Sequence, residues 1–468
     1  MKIYDVGVVG LGVMGKNLSK NIASRGYKVA AFDYFEEVRD KMQVELNDEQ
    51  DIELFHDVES FTASLKGPKN ILMMVQAGQA TDLTIDLLTP YLGQGDSLID
   101  GGNANFKETI RRNIELSELG INFIGVGISG GEEGALNGPS IMPGGQLDAY
   151  QNVESILKDI AAVKNGEPCV TYIGDNGAGH YVKMVHNGIE YADMQLIAEA
   201  YSIMKTVLNM SHEEMSSIFE QWNQTELNSY LIEITSHILK YKENGEYLVE
   251  KIMDKAGQKG TGKWTAIDSL ELGIPSTVIS ESVYARCISS LKDERIKANK
   301  LYNFKQNNNI QIDKEQVLDQ LRNALYISKI CTYAQGFRQM KAAEVEYGWS
   351  LPLGDIAKIW REGCIIRAEF LDEITNAFER NNQLDNLLFD DYFKSRIINH
   401  ESDLREIVKL SIDTKMPIPG FSSSLTYLDQ ARSEQLSANM IQAQRDYFGA
   451  HTYERIDQEG KFHTEWKK

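Results

Sequence analysis

Gly10-Leu11-Gly12-Val13-Met14-Gly15 has the spacing G-x-G-x-x-G, and it lies between an apolar run at 4–9 and an amphipathic run at 17–24. No other stretch restricts the fold of this chain as tightly. In a strand–turn–helix unit the first glycine permits a tight turn. The second lets the backbone approach a pyrophosphate, and the third lets helix and strand pack closely. The phosphates then meet free N–H groups at a helix N-terminus. A second strand-like run, 28–32, ends at Asp33, eighteen residues beyond Gly15. That is where an acidic side chain meets a ribose hydroxyl. Gly10, Leu11, Gly12, Val13, Met14, Gly15, Asp33 and Tyr34 therefore make a candidate dinucleotide site.

Further strands are predicted at 70–75, 97–100, 122–126 and 169–173, with amphipathic helices between them, as at 107–119. This alternation specifies a parallel, doubly wound α/β sheet of Rossmann type. Ligands bind beyond the carboxyl ends of such strands. Val75-Gln76-Ala77 and the loop from Asp100 to Asn103 are thus expected to border the cofactor. Near 175–179 the pattern becomes helical, beginning with a long helix at 180–207. It stays so to about 411, and Met416-Pro417-Ile418-Pro419-Gly420 interrupts it. The end is aromatic and polar (Tyr447, Phe448, His451, Tyr453, Phe462, His463, Trp466), with too little apolar repetition for a core of its own. The expected division is 1–176, a dinucleotide-binding domain; 177–434, an all-α domain; and 435–468, a C-terminal tail.

The chain carries 48 Lys+Arg against 68 Asp+Glu, a formal net charge of −20. Nucleic acid and anionic membrane both require a basic face, so neither is an expected partner. No run is long and apolar enough for a membrane span. Cys169, Cys287, Cys331 and Cys364 are scattered, which fits a reducing cytoplasm rather than a disulfide framework. No metal-ligand spacing occurs, and no metal is expected.

The most informative helix carries Lys183, His186, Asn187, Glu190 and Tyr191 at i, i+3, i+4, i+7 and i+8, one face among apolar neighbours. Burying such groups without partners is costly, so the stripe is expected to line a cleft. It holds a candidate base, Lys183, and a candidate acid, Glu190. Anion-binding groups are expected at Ser129-Gly130-Gly131, at Lys259 and Thr261 on a glycine-rich loop, and at Arg286. Together they imply a multiply anionic substrate.

The stretches GLGVMGKNL (10–18), DGGNANF (100–106), GVGISGGEEGALNGPSIMPGG (125–145), GAGHYVKMVHNGIEYADMQLIAEAY (177–201), GQKGTGKWT (257–265) and QAQRDYFGAHTYER (442–455) carry a resemblance over essentially the whole length. The chain resembles the decarboxylating 6-phosphogluconate dehydrogenase family, within the β-hydroxyacid dehydrogenase group. The resemblance implies a homodimer whose tail penetrates the partner. It also implies metal-free oxidative decarboxylation of 6-phospho-D-gluconate to D-ribulose 5-phosphate and CO2, in pentose phosphate and gluconate metabolism. By the same resemblance Lys183 is the general base and acid, and Glu190 protonates C1 of the enediol. Asn103, Ser129, Gly130, Gly131, His186, Asn187 and Tyr191 contact the sugar acid. Lys259, Thr261, Arg286 and, from the partner, Arg445 and His451 hold the substrate and its phosphate.

One stretch departs from the family. Where the family has Asn-Arg-[Thr/Ser] after its second strand, this chain has Asp33-Tyr34-Phe35, followed by Glu36 and Glu37. A carboxylate accepts from the 2′-hydroxyl of NAD and repels the 2′-phosphate of NADP, so NAD is expected to be favoured. Arg39 and Lys41 are expected one or more turns away, where they compensate in part for the acidic residues. Two other readings stay open at this point. A non-decarboxylating β-hydroxyacid dehydrogenase would not need the phosphate-binding set. A catalytically idle nucleotide-binding dimer would not need Lys183 and Glu190.

Overall fold

The computed structural model describes residues 2–46, 51–307 and 311–467. Its N-terminal part alternates β1 (Val6–Val9), α1 (Val13–Ser24), β2 (Val29–Phe32), α2 (Glu36–Glu45), β3 (Ile52–Leu54), α3 (Val58–Ala63), β4 (Asn70–Met73), α4 (Gln79–Leu88), β5 (Ser97–Asp100), α5 (Phe106–Ser117), β6 (Asn122–Ser129), α6 (Gly131–Asn137), β7 (Ser140–Gly145) and α7 (Leu147–Ile160). The strands form one sheet in the order β3-β2-β1-β4-β5-β6-β7. β1, β2, β4 and β5 are buried along their whole length, as a parallel sheet covered on both faces requires. One core joins Val8, Leu18, Val29, Val126 and Val153. The other joins Phe61, Ile71, Leu98, Leu116 and Phe123.

The expected strand set needs correction: β3 and β7 join the sheet in addition to the expected strands, and β7 breaks its parallel order. β7 runs antiparallel to β6, with Ser129 opposite Ser140. A parallel return needs a crossover of a dozen or more residues, and short α6 and its turn are all that join these strands. Residues 169–173 form no strand and touch the sheet edge through single bridges, Ile141 with Val170 and Gly144 with Gly174.

The helical part begins with α8 (Ala178–Ser202), whose last turn widens into a π-turn at Ile203–Val207. It continues through α9 (His212–Trp222), α10 (Tyr230–Lys240), α11 (Thr261–Glu271), α12 (Thr277–Ser290), α13 (Lys292–Tyr302), α14 (Lys314–Tyr347), α15 (Leu353–Ile359), α16 (Phe370–Arg380), α17 (Asp391–Thr414), α18 (Pro419–Arg432) and α19 (Ala438–Gly449). Backbone contacts divide the chain into two units, Met1–Ser424 and Leu425–Lys468. Within the first, α8 lies directly on β6 and β7 because glycines remove the side chains between them. A Cβ on Gly179 would stand 2.3 Å from the Gly125 carbonyl oxygen, and one on Gly127 2.4 Å from Cβ of Lys183. The second unit has internal order despite its weak apolar pattern. α19 is followed by a hairpin pairing Tyr453–Glu454 with Lys461–Phe462.

Among the described residues no helix is long and apolar enough to cross a membrane.

Candidate active site

The glycine loop has the shape its spacing requires. Gly10 adopts φ 90°, and a Cβ there would lie 2.7 Å from the Met74 carbonyl oxygen. One on Gly15 would lie 1.8 Å from the Gly10 carbonyl oxygen, whereas Gly12 faces open space. Gly12 is also the N-cap of α1 and offers no side-chain cap. Val13 is exposed and Met14 half-buried, so the first turn of α1 presents its N–H groups beside an open glycine face. That cradle fits a dinucleotide pyrophosphate. Leu11 is buried, and its N–H donates to Oδ2 of Asp33 at 2.7 Å. Oδ1 of Asp33 accepts from Phe35 N–H at 2.9 Å. Asp33 is thus fixed at the edge of the cradle, with Tyr34 exposed beside it.

Arg39 lies in the first turn of α2, and its side chain reaches back to the end of β2. It is buried, and its Nη1 donates back to the carbonyls of Asp33 and Tyr34. Placement at the start of α2 lets the long side chain fold back along the helix. Lys41 is exposed.

Val75, Gln76 and Ala77 follow β4, and Asn103 follows β5, so these loops leave adjacent parallel strands at the same sheet edge. Beneath them lies a cluster of side chains, buried except for Asp82, that the sequence pattern did not reveal. Nε of Arg112 donates to Asp82 at 2.7 Å, and its Nη2 donates to the Gly78 carbonyl at 3.1 Å. Its Nη1 lies 4.0 Å from Asp100. Asp100 in turn accepts from Gly102 N–H at 3.0 Å. His180 of α8 meets Thr109 Oγ1 at 2.7 Å. One guanidinium therefore spans both loops. The available signal was Arg112 on the apolar face of α5, which a reading by hydrophobic period passes over.

The polar stripe of α8 faces the end of β6. Lys183 and His186 are buried, Tyr191 nearly so, and Asn187 and Glu190 half-buried. Ser129 Oγ lies 3.3 Å from Nε2 of His186, whose Nδ1 lies 3.0 Å from Oδ1 of Asn187. An amide oxygen only accepts, so Nδ1 carries the proton and Nε2 accepts from Ser129. Nδ2 of Asn187 donates to Thr261 Oγ1 at 3.1 Å. This contact exists because Gly188 and Gly262 let α8 and α11 cross closely; a Cβ on Gly262 would be 2.4 Å from the Tyr191 ring. Gly130 (φ 126°) and Gly131 (φ 63°) turn the chain into α6. Gly131 is open above, while Gly130 packs on the Gly363 carbonyl oxygen.

Burial lowers Lys183 to about 8, against the opposing pull of Glu190 and Cys364. Burial raises Glu190, with Lys183 and Arg286 acting the other way. Burial and the repulsion of Lys183 hold His186 well below its ordinary value. A base and an acid are thus displaced toward each other on one face, the arrangement that serves proton transfer in both directions. Arg286 stacks 3.5 Å above the Tyr191 ring and donates to the Gly257 carbonyl at 2.8 Å. Lys259 is exposed on the same glycine-rich loop. Arg445 and His451 are exposed in the second unit. Among the described residues no group of three or more His, Cys, Asp or Glu is placed to hold a metal ion.

Two family models together cover nearly the whole chain. Residues 5–174 match the NAD binding domain of 6-phosphogluconate dehydrogenase, and 179–466 match the 6-phosphogluconate dehydrogenase C-terminal domain. The chain is 58% identical over 464 residues, 99% of each protein, to a decarboxylating 6-phosphogluconate dehydrogenase of Staphylococcus aureus strain N315. Its counterpart in Staphylococcus epidermidis strain RP62A is equally similar, at 58% over 464 residues. A Plasmodium falciparum 6-phosphogluconate dehydrogenase, solved in its apo form, with NADP+ and with 6-phosphogluconate, superposes with a TM-score of 0.95 at 44% identity, covering 99% of this chain and 100% of that one. The chain belongs to the 6-phosphogluconate dehydrogenase family and is an oxidoreductase with a nicotinamide-dinucleotide-binding domain.

Proposed function

As a member of that family, we propose, the chain oxidises and decarboxylates 6-phospho-D-gluconate to D-ribulose 5-phosphate and CO2 in pentose phosphate and gluconate metabolism. The observation that carries this is buried Lys183, lowered to about 8, and half-buried Glu190, raised, on one face of α8 beside the cofactor edge of the sheet. The Gly10–Gly15 cradle with Asp33 would hold a nicotinamide dinucleotide, which when bound would supply the acceptor for the hydride leaving C3 of the substrate. Neutral Lys183 takes the proton of the 3-hydroxyl as that hydride leaves. Protonated Lys183 then donates to the 3-keto oxygen, which receives the electrons of the breaking C1–C2 bond as CO2 departs. Protonated Glu190 then delivers its proton to C1 of the resulting enediol (C2 of the substrate), while Lys183, neutral again, takes back the enol proton as the ketone forms. Ser129, Gly130, Gly131, His186, Asn187, Tyr191 and Asn103 orient the sugar acid. Lys259, Thr261 and Arg286 bind the anionic end, joined by Arg445 and His451 from the tail of a partner in a homodimer. Residues 1–176, 177–434 and 435–468 serve as cofactor domain, helical domain and tail. None of the cysteines is joined in a disulfide, which supports the reading of a cytoplasmic enzyme.

NAD is the favoured cofactor. Asp33 is ordered at the cradle edge by Leu11 N–H, and Glu36 and Glu37 occupy the first turn of α2. A second reading, use of NADP, is favoured by one observation: the Arg39 guanidinium lies against the Asp33–Tyr34 backbone. Initial rates with 6-phosphogluconate and each cofactor decide between them. NAD is expected to lead by at least ~10-fold in kcat/KM, about 1.4 kcal/mol. Equal values or an NADP preference refute the Asp33 reading. If Asp33 decides, Asp33→Asn with Tyr34→Arg moves the preference toward NADP. Mixing Lys183→Met subunits with Arg445→Ala subunits tests the shared site, since a heterodimer should regain one complete site.

A further inference from the structure

From residue 430 to 467 every side chain is exposed or half-exposed except Asp446, which is fully buried. Four donors converge on it. Oδ1 accepts from Thr452 N–H at 3.0 Å and from Nδ1 of His463 at 2.9 Å. Oδ2 accepts from Thr464 N–H at 3.0 Å and from Nε1 of Trp466 at 2.8 Å. Its own carbonyl accepts from Ala450 N–H at 2.9 Å. One residue therefore joins α19, the turn after it and the last described residues of the chain.

The turn it holds is a demanding one. Ala450 (φ 49°) and Thr452 (φ 61°) both occupy the left-handed region, and His451 lies between them. Non-glycine residues stay there only when their surroundings impose it, and Asp446 accepts from the N–H groups of both. The turn is also tied to Arg445. Nε2 of Gln442 donates to the Thr452 carbonyl at 2.9 Å, and Oε1 of Gln442 accepts from Nη1 of Arg445 at 3.1 Å. The His451 ring lies over Gly449, where a Cβ would be 2.5 Å from Nε2. A carboxylate next in sequence to a phosphate-binding arginine would oppose its task if left free. Here both oxygens are engaged by the four donors, and neither is left free.

We propose that Asp446 is the positioning residue of the tail: it fixes Arg445 and His451 in one geometry and makes His463, Thr464 and Trp466 necessary for phosphate recognition. This rests on the reading of Arg445 and His451 as phosphate ligands. The sequence gives no hint of it, because the partners lie 6 to 20 positions away and follow no helical or strand period.

The test uses the full-length dimer with Asp446→Asn, Trp466→Phe and, as reference, Arg445→Ala. Asp446→Asn puts an N–H₂ group where an oxygen received two donors. It is expected to raise KM for 6-phosphogluconate ~10-fold or more, since bonds to a charged acceptor are the strong ones, with cofactor KM and kcat within ~2-fold. Trp466→Phe removes one donor and keeps a ring, for an expected rise of ~2–5-fold in the same constant. A merely structural role would lower the melting temperature and the active fraction without this split between constants. If Arg445→Ala raises KM for 6-phosphogluconate and neither of the other variants does, the positioning role is overturned. If Arg445→Ala leaves that KM unchanged, the ligand reading falls and the proposal with it. If Asp446→Asn does not assemble, Trp466→Phe decides alone: a selective rise supports the proposal and an unchanged KM overturns it.

Discussion

Helix α8 carries two lysine–carboxylate couples in two neighbouring regions, and they are built in opposite ways. In the first, Lys183 and Glu190 share a face, and burial displaces the amine down to about 8 and the carboxyl up. In the second, one turn further on, Asp193 meets Lys329 of α14. Both are buried, and Nζ donates to the two carboxylate oxygens at 2.7 and 2.6 Å. A closed, bidentate pair satisfies both charges with two short charge-assisted hydrogen bonds. An open couple leaves each group poorly solvated and incompletely matched, so each charged form is disfavoured and protons move at modest cost. Function on this helix follows from where pairing is withheld.

The contrast breaks most visibly at Lys183. Lys183→Met is expected to cut kcat by ~10²–10⁴-fold or more, the range for a general acid–base group. The melting temperature should not fall, because a buried amine is replaced by an apolar stem. Retention of more than about a tenth of kcat would count against the assignment. The pH profile sharpens it. Only neutral Lys183 accepts the 3-hydroxyl proton, so kcat/KM should rise with pH through about 8. Glu190 holds that value up, so Glu190→Gln should move this limb toward acid pH while slowing the final protonation. An unmoved limb would show the two groups to be uncoupled.

Lys329→Met is the opposite experiment. It leaves Asp193 buried and unmatched, with an expected loss of about 3–5 kcal/mol of stability. Denaturant unfolding should record that loss, while kcat per folded enzyme stays near wild type. A large fall in kcat without loss of stability would erase the distinction between the couples.

A smaller effect belongs to Glu199, further along α8. Burial pushes its carboxyl up to about 7, although Gln195 and the N–H groups of Gly420 and Phe421 pull the other way. A folded value above the ordinary 4.5 means that ionisation is disfavoured in the fold. Its contribution to stability is therefore complete below about 4.5 and is lost as pH rises through about 7, an effect of about 3 kcal/mol. The melting temperature of Glu199→Gln should depend less on pH between those values; an unchanged dependence would exclude Glu199 as its source.

The smallest expected change is at Arg112. Arg112→Lys keeps the charge but cannot reach Asp82 and the Gly78 carbonyl together. Cofactor KM should rise by ~3–10-fold with kcat nearly kept, a loss of about one hydrogen bond. No change in cofactor KM would separate this cluster from the loops above it.

By itself the sequence determined five of the seven strands, the glycine cradle, Asp33 at the end of β2 and the polar face of α8. These are local periodicities and spacings, and a strand or helix repeats them within a few residues. It also carried the family resemblance, through long ordered motifs. Only the tertiary structure decided the direction of β7, the inward fold of Arg39, the Arg112 cluster and the Asp446 hub in the tail. Each depends on which distant groups meet. The approach of α8 to β6 through Gly125, Gly127 and Gly179 buries Lys183, and burial is the cause of its lowered value. A pattern can put a lysine and a glutamate on one face, but the loss of water that displaces them toward each other arises only when the sheet closes over that face.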